Sequence, residues 1–255
     1  MRKNDPLMQF GDLAVALSLL SRLPLAGLPV ENKRGARAAW AYPLAGLVLG
    51  GIAGLTGLIA LWVGLPSALV ALCMLAALII LTGAMHEDGL ADTVDGFWGG
   101  WAVARRLEIM KDSHIGTYGV IALILSLAAR WAALWGLVSI GMGTALDGLI
   151  VAAMTSRAMM PAMMWALPNA RADGLSRHVG RVPGQTVLIG LGLAGIAALL
   201  LTGATATLAL IVAGVVTLGM GALARAKIGG QTGDTLGATQ QVTEIALLCT
   251  LLLHA

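Results

Sequence analysis

Residues 68–98 read ALVALCMLAALIILTGAMHEDGLADTVDGFW. The first part, up to Met85, carries no charge and is long enough for one pass through a hydrocarbon layer, for which roughly 20 apolar residues are needed. It runs straight into His86, Glu87, Asp88, Asp92 and Asp95. An apolar span that ends in a burst of acids is the pattern of a membrane protein with polar chemistry at the membrane edge. The whole chain agrees: 58% of its 255 residues are hydrophobic, 11% are charged, and its mean hydropathy is +0.87. An ordinary soluble domain carries about 25% charged residues.

Apolar runs of spanning length recur at about 40–63, 66–84, 117–140, 145–168, 186–202, 204–224 and 238–254. The expected fold is therefore all-α: a polytopic membrane bundle of about seven transmembrane helices, forming one domain over residues 1–255. The shorter stretch 8–22 is either an interfacial helix or an eighth span. The start resembles a signal peptide but lacks a small-x-small cleavage site and is expected to stay attached. Cys73 and Cys249 sit far apart in apolar runs and are expected to act as small apolar side chains rather than a disulfide or metal site. The net charge of +3, with no basic patch interleaved with aromatics, argues against nucleic acid.

The cations are distributed unevenly. Lys33, Arg34 and Arg37 precede the first strong span, Arg105, Arg106 and Lys111 fall in 85–116, Arg171, Arg177 and Arg181 in 169–185, and Arg225 and Lys227 in 225–237. The connections at 64–65, 141–144 and 203 have none. Basic and bare loops alternate, which predicts that the basic loops face the cytoplasm. They also hold most of the remaining polar residues.

Asp88, Asp92 and Asp95 are spaced i, i+4, i+7 and share one face of a helix. Like charges on one face repel, and a divalent cation such as Mg²⁺ would offset that repulsion. A solvated acidic cap at the end of a span is the alternative. His86 falls on the far side from the aspartates and reads as a structural or supporting residue. Glu87 reads as a solvated neighbour, and Phe97, Trp98 and Trp101 as interfacial anchors. In MKDSHIGTYG, residues 110–119, Lys111, Ser113 and the backbone near Gly116 are candidate phosphate ligands, and Asp112 could complete a metal shell; a plain polar loop is the alternative. In GGQTGDTLGATQQVTE, residues 229–244, the Gly-rich turn with Thr232, Gly233 and Asp234 suits a diphosphate at a helix start, and Gly237, Gln241 and Glu244 continue a polar face. Arg177 and Arg181 either grip phosphate or satisfy the charge rule for topology. Arg130 and Arg157 lie in mid-span and are expected to pair internally with an anion such as Glu244.

The blocks HEDGLADTVDGFWGG, KDSHIGTYG and GGQTGDTLGA, the last followed by TE at 243–244, resemble in order the polar blocks of the cobalamin synthase family. SRLPLAGLPV and AWAYPLAGLVLGG resemble its N-terminal blocks. The likeness covers essentially the whole chain. One departure is Lys111, where Arg is expected before Asp-Ser; the cation is kept but a bidentate grip is lost. The resemblance implies a multi-pass enzyme of the bacterial inner membrane with its active site toward the cytoplasm. It implies an adenosylcobinamide-GDP ribazoletransferase that joins adenosylcobinamide-GDP to α-ribazole, or its 5′-phosphate, with release of GMP and a requirement for Mg²⁺. Its partners would be those small molecules, the lipid bilayer and other cobalamin-assembly enzymes at the membrane.

On this reading Asp88, Asp92 and Asp95 are the metal ligands, with Asp95, Asp234 and Glu244 as candidates for the base. The competing readings are another Mg²⁺-dependent membrane transferase acting on a diphosphate, such as a CDP-alcohol phosphotransferase or prenyltransferase, and a transporter. The first lacks its DGxxAR or NDxxDxxxD block here, and the second should carry its acids near the midplane.

Overall fold

The computed structural model describes residues 6–25 and 34–255. Lys33 and residues 26–30 of the SRLPLAGLPV block lie outside them. Every regular element among the described residues is helical: α1 (Gly11–Leu20), α2 (Gly35–Ala38), α3 (Tyr42–Trp62), α4 (Ser67–Thr82), α5 (Met85–Gly99), α6 (Val103–Ile109), α7 (Thr117–Ile140), α8 (Met142–Ala166), α9 (Leu175–Val179), α10 (Gly184–Thr202), α11 (Thr205–Ile228) and α12 (Gly233–Leu253). A 3₁₀ turn, Ala39–Ala41, joins α2 to α3.

Among the described residues, six helices are long and apolar enough to cross a membrane: α3 with its leading turn, α7, α8, α10, α11 and α12. The seventh expected span, 66–84, appears as α4, which turns by 84° into α5. The break is made by two successive left-handed residues, Gly83 (φ 62°) and Ala84 (φ 56°). Glycine adopts that conformation freely, whereas Ala84 is the one non-glycine among the described residues with positive φ.

Helices α8 and α12 form the buried centre, and α10 and α11 present most of their surface outward. That outward surface is apolar, with Leu188, Leu200, Val215 and Leu218 exposed, as a lipid-facing surface must be. Small residues let the central helices touch: a Cβ on Gly46 of α3 would run into the backbone of Ala153 and Met154 in α8. Both cysteines are free.

At ten residues, α1 is about 15 Å long, too short to be the eighth span. Asp12 holds it to the body. Its carboxylate is fully buried and accepts from Arg34 Nε (2.6 Å), Arg34 Nη2 (2.9 Å), Trp40 Nε1 (2.7 Å) and the Gln9 backbone (2.9 Å). Burial alone would raise the Asp12 pKa, but these donors outweigh it and hold the carboxyl below its ordinary value.

The three long basic loops meet at one end of the bundle. Arg106 donates to the carbonyl of Lys227 (2.8 Å), Lys111 pairs with Asp173 (2.7 Å), and Asn169 bridges to Gln231. The cation-free connections lie between α3 and α4, α7 and α8, and α10 and α11. The alternation read from the sequence is thus an alternation between two physical ends.

Candidate functional site

The site begins where α5 meets the first turn of α12. Thr232 caps α12: its Oγ1 accepts from the Thr235 backbone N–H (3.3 Å), and Thr235 Oγ1 accepts from the Thr232 N–H (2.9 Å). The acidic Asp234 in this first turn also suits the positive end of the helix dipole. Gly89 of α5 sits against this turn. A Cβ there would lie 2.9 Å from the Asp234 carbonyl oxygen and 3.1 Å from its Cα, and a Cβ on Gly237 would lie 3.3 Å from the His86 Cα. The two glycines remove the bulk that would hold the helices apart. Blocks separated by about 140 residues in sequence therefore share one location, as their matched composition suggests.

Asp88 and Asp234 line one cavity of about 130 Å³. Asp92, one turn further along α5 and outside the six spanning helices, is half-buried. Its pKa is pushed up to about 7, first by burial and then by the charges of Asp88 and Asp234. Arg171, mostly buried, offsets part of this repulsion and pairs with Asp234 at 3.0 Å. In the sequence Arg171 belongs to a basic loop that either grips phosphate or satisfies the charge rule; its pairing with Asp234 follows from α8 ending at Ala166 and returning the chain toward Gln231. A second cleft of about 170 Å³ adjoins, lined by Arg171, Arg177, Ser176, Thr232, Gly233 and Asp234. Arg177 and Arg181 together border a larger open cleft of about 610 Å³. Thr232, Gly233, Asp234 and Arg177 are thus brought together with Asp88.

Two residues do other work than expected. Asp95 is buried, and its two oxygens accept from the backbone N–H groups of Gly116 (2.7 Å) and Gly119 (2.8 Å). It caps α7 from a neighbouring helix, satisfying donors that a helix start leaves open. Both of its oxygens and the Gly116 N–H are thus engaged in this contact. Glu244 is buried between two arginines, accepting from Arg130 Nη1 (3.3 Å) and lying 3.7 Å from Arg157 Nη1. Gln240 Nε2 also donates to it at 2.6 Å. This is the internal pairing expected for the two mid-span arginines, and it leaves Glu244 as a structural anion rather than a base. Replacing Asp95 with Ala should expose the start of α7 and lower thermal stability by about 1–3 kcal/mol; an unchanged melting temperature in detergent would contradict the capping role.

Glu87 also departs from expectation. It is buried rather than solvated, and accepts from Arg130 Nη2 at 2.8 Å and Gln241 Nε2 at 3.2 Å. A charge count could have found it: two intramembrane arginines need two anions, and Glu87 and Glu244 are the glutamates closest to apolar runs. Phe97 is likewise buried in the core, while Trp98 and Trp101 are exposed as interfacial anchors should be. In the 110–119 loop, Lys111 is paired with Asp173 on the rim of the second cleft. Asp112 accepts from the His114 backbone N–H (3.0 Å), and Ser113 is exposed. Asp112 and Ser113 are absent from the residues that line the two clefts.

Among the described residues, no three His, Cys, Asp or Glu side chains are arranged to hold a metal ion by themselves. The donor set at Asp88, Asp92 and Asp234 is all carboxylate, with an excess of negative charge beside one arginine. That chemistry fits Mg²⁺, which takes one or two protein carboxylates and fills its shell with water and substrate phosphate.

A profile of the CobS family, described as cobalamin-5-phosphate synthase, matches residues 12–252. A protein of Mesorhizobium japonicum named adenosylcobinamide-GDP ribazoletransferase is 44% identical over 244 residues, covering 96% of this chain and 93% of that protein. Proteins of the same name from Bradyrhizobium diazoefficiens and Brucella ovis are each 44% identical, covering 93% of this chain and 91% and 95% of theirs. No solved structure matches.

Proposed function

This chain belongs to the CobS family of cobalamin-5-phosphate synthases, transferases of cobalamin biosynthesis, and from that premise we propose that the junction of α5 and α12 is where it transfers the adenosylcobinamide phosphoryl group from GDP linkage to α-ribazole. The observation that carries this reading is the meeting of Asp88 and Asp234, far apart in the sequence, on one cavity beside Arg171.

In the proposed step the ribazole hydroxyl oxygen bonds to the cobinamide-side phosphorus. The bond from that phosphorus to the bridging oxygen breaks, GMP leaves with the electron pair, and the hydroxyl proton passes to a carboxylate. Asp92 is suited to accept it, because it lies one turn from Asp88 on the same helix and burial raises its pKa above the ordinary carboxylate value. Arg171 and Arg177 border the cleft where the diphosphate would lie and offset its charge there. Mg²⁺, held by Asp88 and Asp234, would supply further charge neutralisation on the phosphate oxygens. Purified protein in detergent should release GMP from adenosylcobinamide-GDP only when both α-ribazole and Mg²⁺ are present. GMP release without ribazole would make the enzyme a hydrolase, and no release would remove the reading.

The same reading places this end of the bundle in the cytoplasm of a bacterial inner membrane, on the strength of the cations gathered there. In a variant lacking Cys73 and Cys249, cysteines placed at Ser113 and Arg181 should label from the cytoplasmic side and one at Ala204 from the periplasmic side. Periplasmic labelling at either of the first two positions would invert the topology.

A further inference from the structure

A cleft of about 610 Å³ lies between α8, α10 and α11, away from Asp88 and Asp234. Its walls are apolar, among them Met163, Leu188, Leu191 and Leu218. The one hydroxyl that lines it, on Thr217, donates to the Ala213 carbonyl of its own helix (2.7 Å). From Thr217 the cleft follows α11 for about 12 Å, at 1.5 Å per residue, to Arg225 at the basic end of the bundle. There it shares Trp165, Ala166 and Leu167 with the open cleft that Arg181 borders. The two form one trench, apolar between the spans and basic where it leaves them. The side chains of Arg181 and Arg225 are exposed, and among the described residues neither has an ion pair or a hydrogen bond. Trp165 is half-exposed at the seam, the level at which an interfacial aromatic belongs.

We propose that this trench binds one anionic glycerophospholipid, with an acyl chain in the apolar cleft and the phosphate held by Arg181 and Arg225. The cleft has the size of a small-molecule site, for which about 300–1,000 Å³ is usual. Its rim residues Leu188 and Leu218 belong to the exposed apolar surface of α10 and α11, so it opens toward hydrocarbon. Left empty, its walls would forfeit their dispersion contacts, and water there would find no free polar group to bond. An acyl chain fills it without leaving the membrane, and its headgroup then falls at the level of the arginines. Two cations without a counter-ion select a headgroup of net negative charge, because a zwitterionic one brings its own cation to the phosphate. Such a lipid would tie the 169–185 loop, which also carries Arg171 and Arg177, to the end of α11. The inference stands on this trench alone and does not depend on the transfer step.

The test is native mass spectrometry of the protein purified in detergent and mixed with phosphatidylglycerol, phosphatidylcholine or glycerol phosphate. One phosphatidylglycerol per chain should be retained, on the order of tenfold more tightly than phosphatidylcholine, and glycerol phosphate, which has no acyl chain, should not be retained. Replacing both arginines, Arg181→Gln with Arg225→Gln, should bring phosphatidylglycerol down to the level of phosphatidylcholine. Gly221→Phe should abolish retention while keeping both arginines, because Gly221 lines the apolar cleft and a Cβ there has room, 3.8 Å from Leu167 Cδ1, for a ring to grow into it. Equal retention of the two lipids by the wild-type protein would overturn the inference without any variant having to fold. So would phosphatidylglycerol retention that survives Gly221→Phe, which would be attraction to surface charge alone. Displacement of the lipid by adenosylcobinamide-GDP would give the trench to that substrate and overturn the inference as well.

Discussion

Asp88→Asn is expected to lower the rate of GMP release by on the order of 10³-fold, the scale seen when one preorganised charge-stabilising group is lost from a transfer site. Asp88 is exposed at the surface of the shared cavity and makes no ion pair among the described residues, so the change should leave the fold intact. The loss should fall on turnover, because the substrate keeps its contacts with Arg171 and Arg177 while the Mg²⁺ that would offset the developing charge loses one of its ligands. Asp92→Asn should act similarly, by removing the group whose raised pKa suits it to take the proton. The contrast is Asp95→Asn, which keeps one acceptor oxygen for the α7 backbone and should retain much of its activity. Near-normal turnover by Asp88→Asn at ordinary Mg²⁺ would reduce the acidic face to a solvated cap.

Glu244→Ala is expected to destabilise the protein by about 3–5 kcal/mol, the penalty for leaving a buried charge without its partner. Arg130 and Arg157 are both about 1% exposed, and Glu244 is the anion common to them. Arg130 would keep Glu87, but among the described residues Arg157 would keep only its bond to the Ala153 carbonyl (3.0 Å). Since a whole domain is stable by only about 5–15 kcal/mol, a marked fall in melting temperature and in membrane yield should follow. Glu244→Gln, which keeps an acceptor for Arg130, should cost less. The network also fixes α5 from below: Glu87 is the residue immediately before Asp88, and its bond to Arg130 ties the acidic face to α7. An unchanged melting temperature for Glu244→Ala would show that the arginines find other anions and that this coupling is absent.

Much of this was legible in the sequence because membrane helices announce themselves by length and apolarity alone. The runs at 117–140 and 204–224 became α7 and α11 nearly residue for residue, and the alternation of cations correctly placed the loops on two ends. Helical spacing also showed that Asp88, Asp92 and Asp95 share a face. It did not show which partner each residue on that face would meet. Asp95 turns to the start of α7, which lies against α5, a tertiary fact with no local sequence signal. Glu87 looked solvated because the 84° turn at Gly83–Ala84 that inserts α5 between α12 and α7 was not foreseen. The pairing of Asp12 with Arg34 was missed for a related reason: α1 reads as a weak span, and only its docking shows why an acid sits in it. Two Gly- and acid-rich blocks at one membrane edge have few ways to be useful apart, and Asp88 and Asp234 do line one cavity.

The claim that α5 and α12 build one phosphate-and-metal site is tested most directly by Mn²⁺ binding, followed by electron paramagnetic resonance on purified protein with GDP present. The account predicts one Mn²⁺ site per chain, lost both in Asp88→Asn and in Asp234→Asn. Mn²⁺ binding that survives Asp234→Asn while disappearing in Asp88→Asn would contradict it, because the ion would then belong to α5 alone.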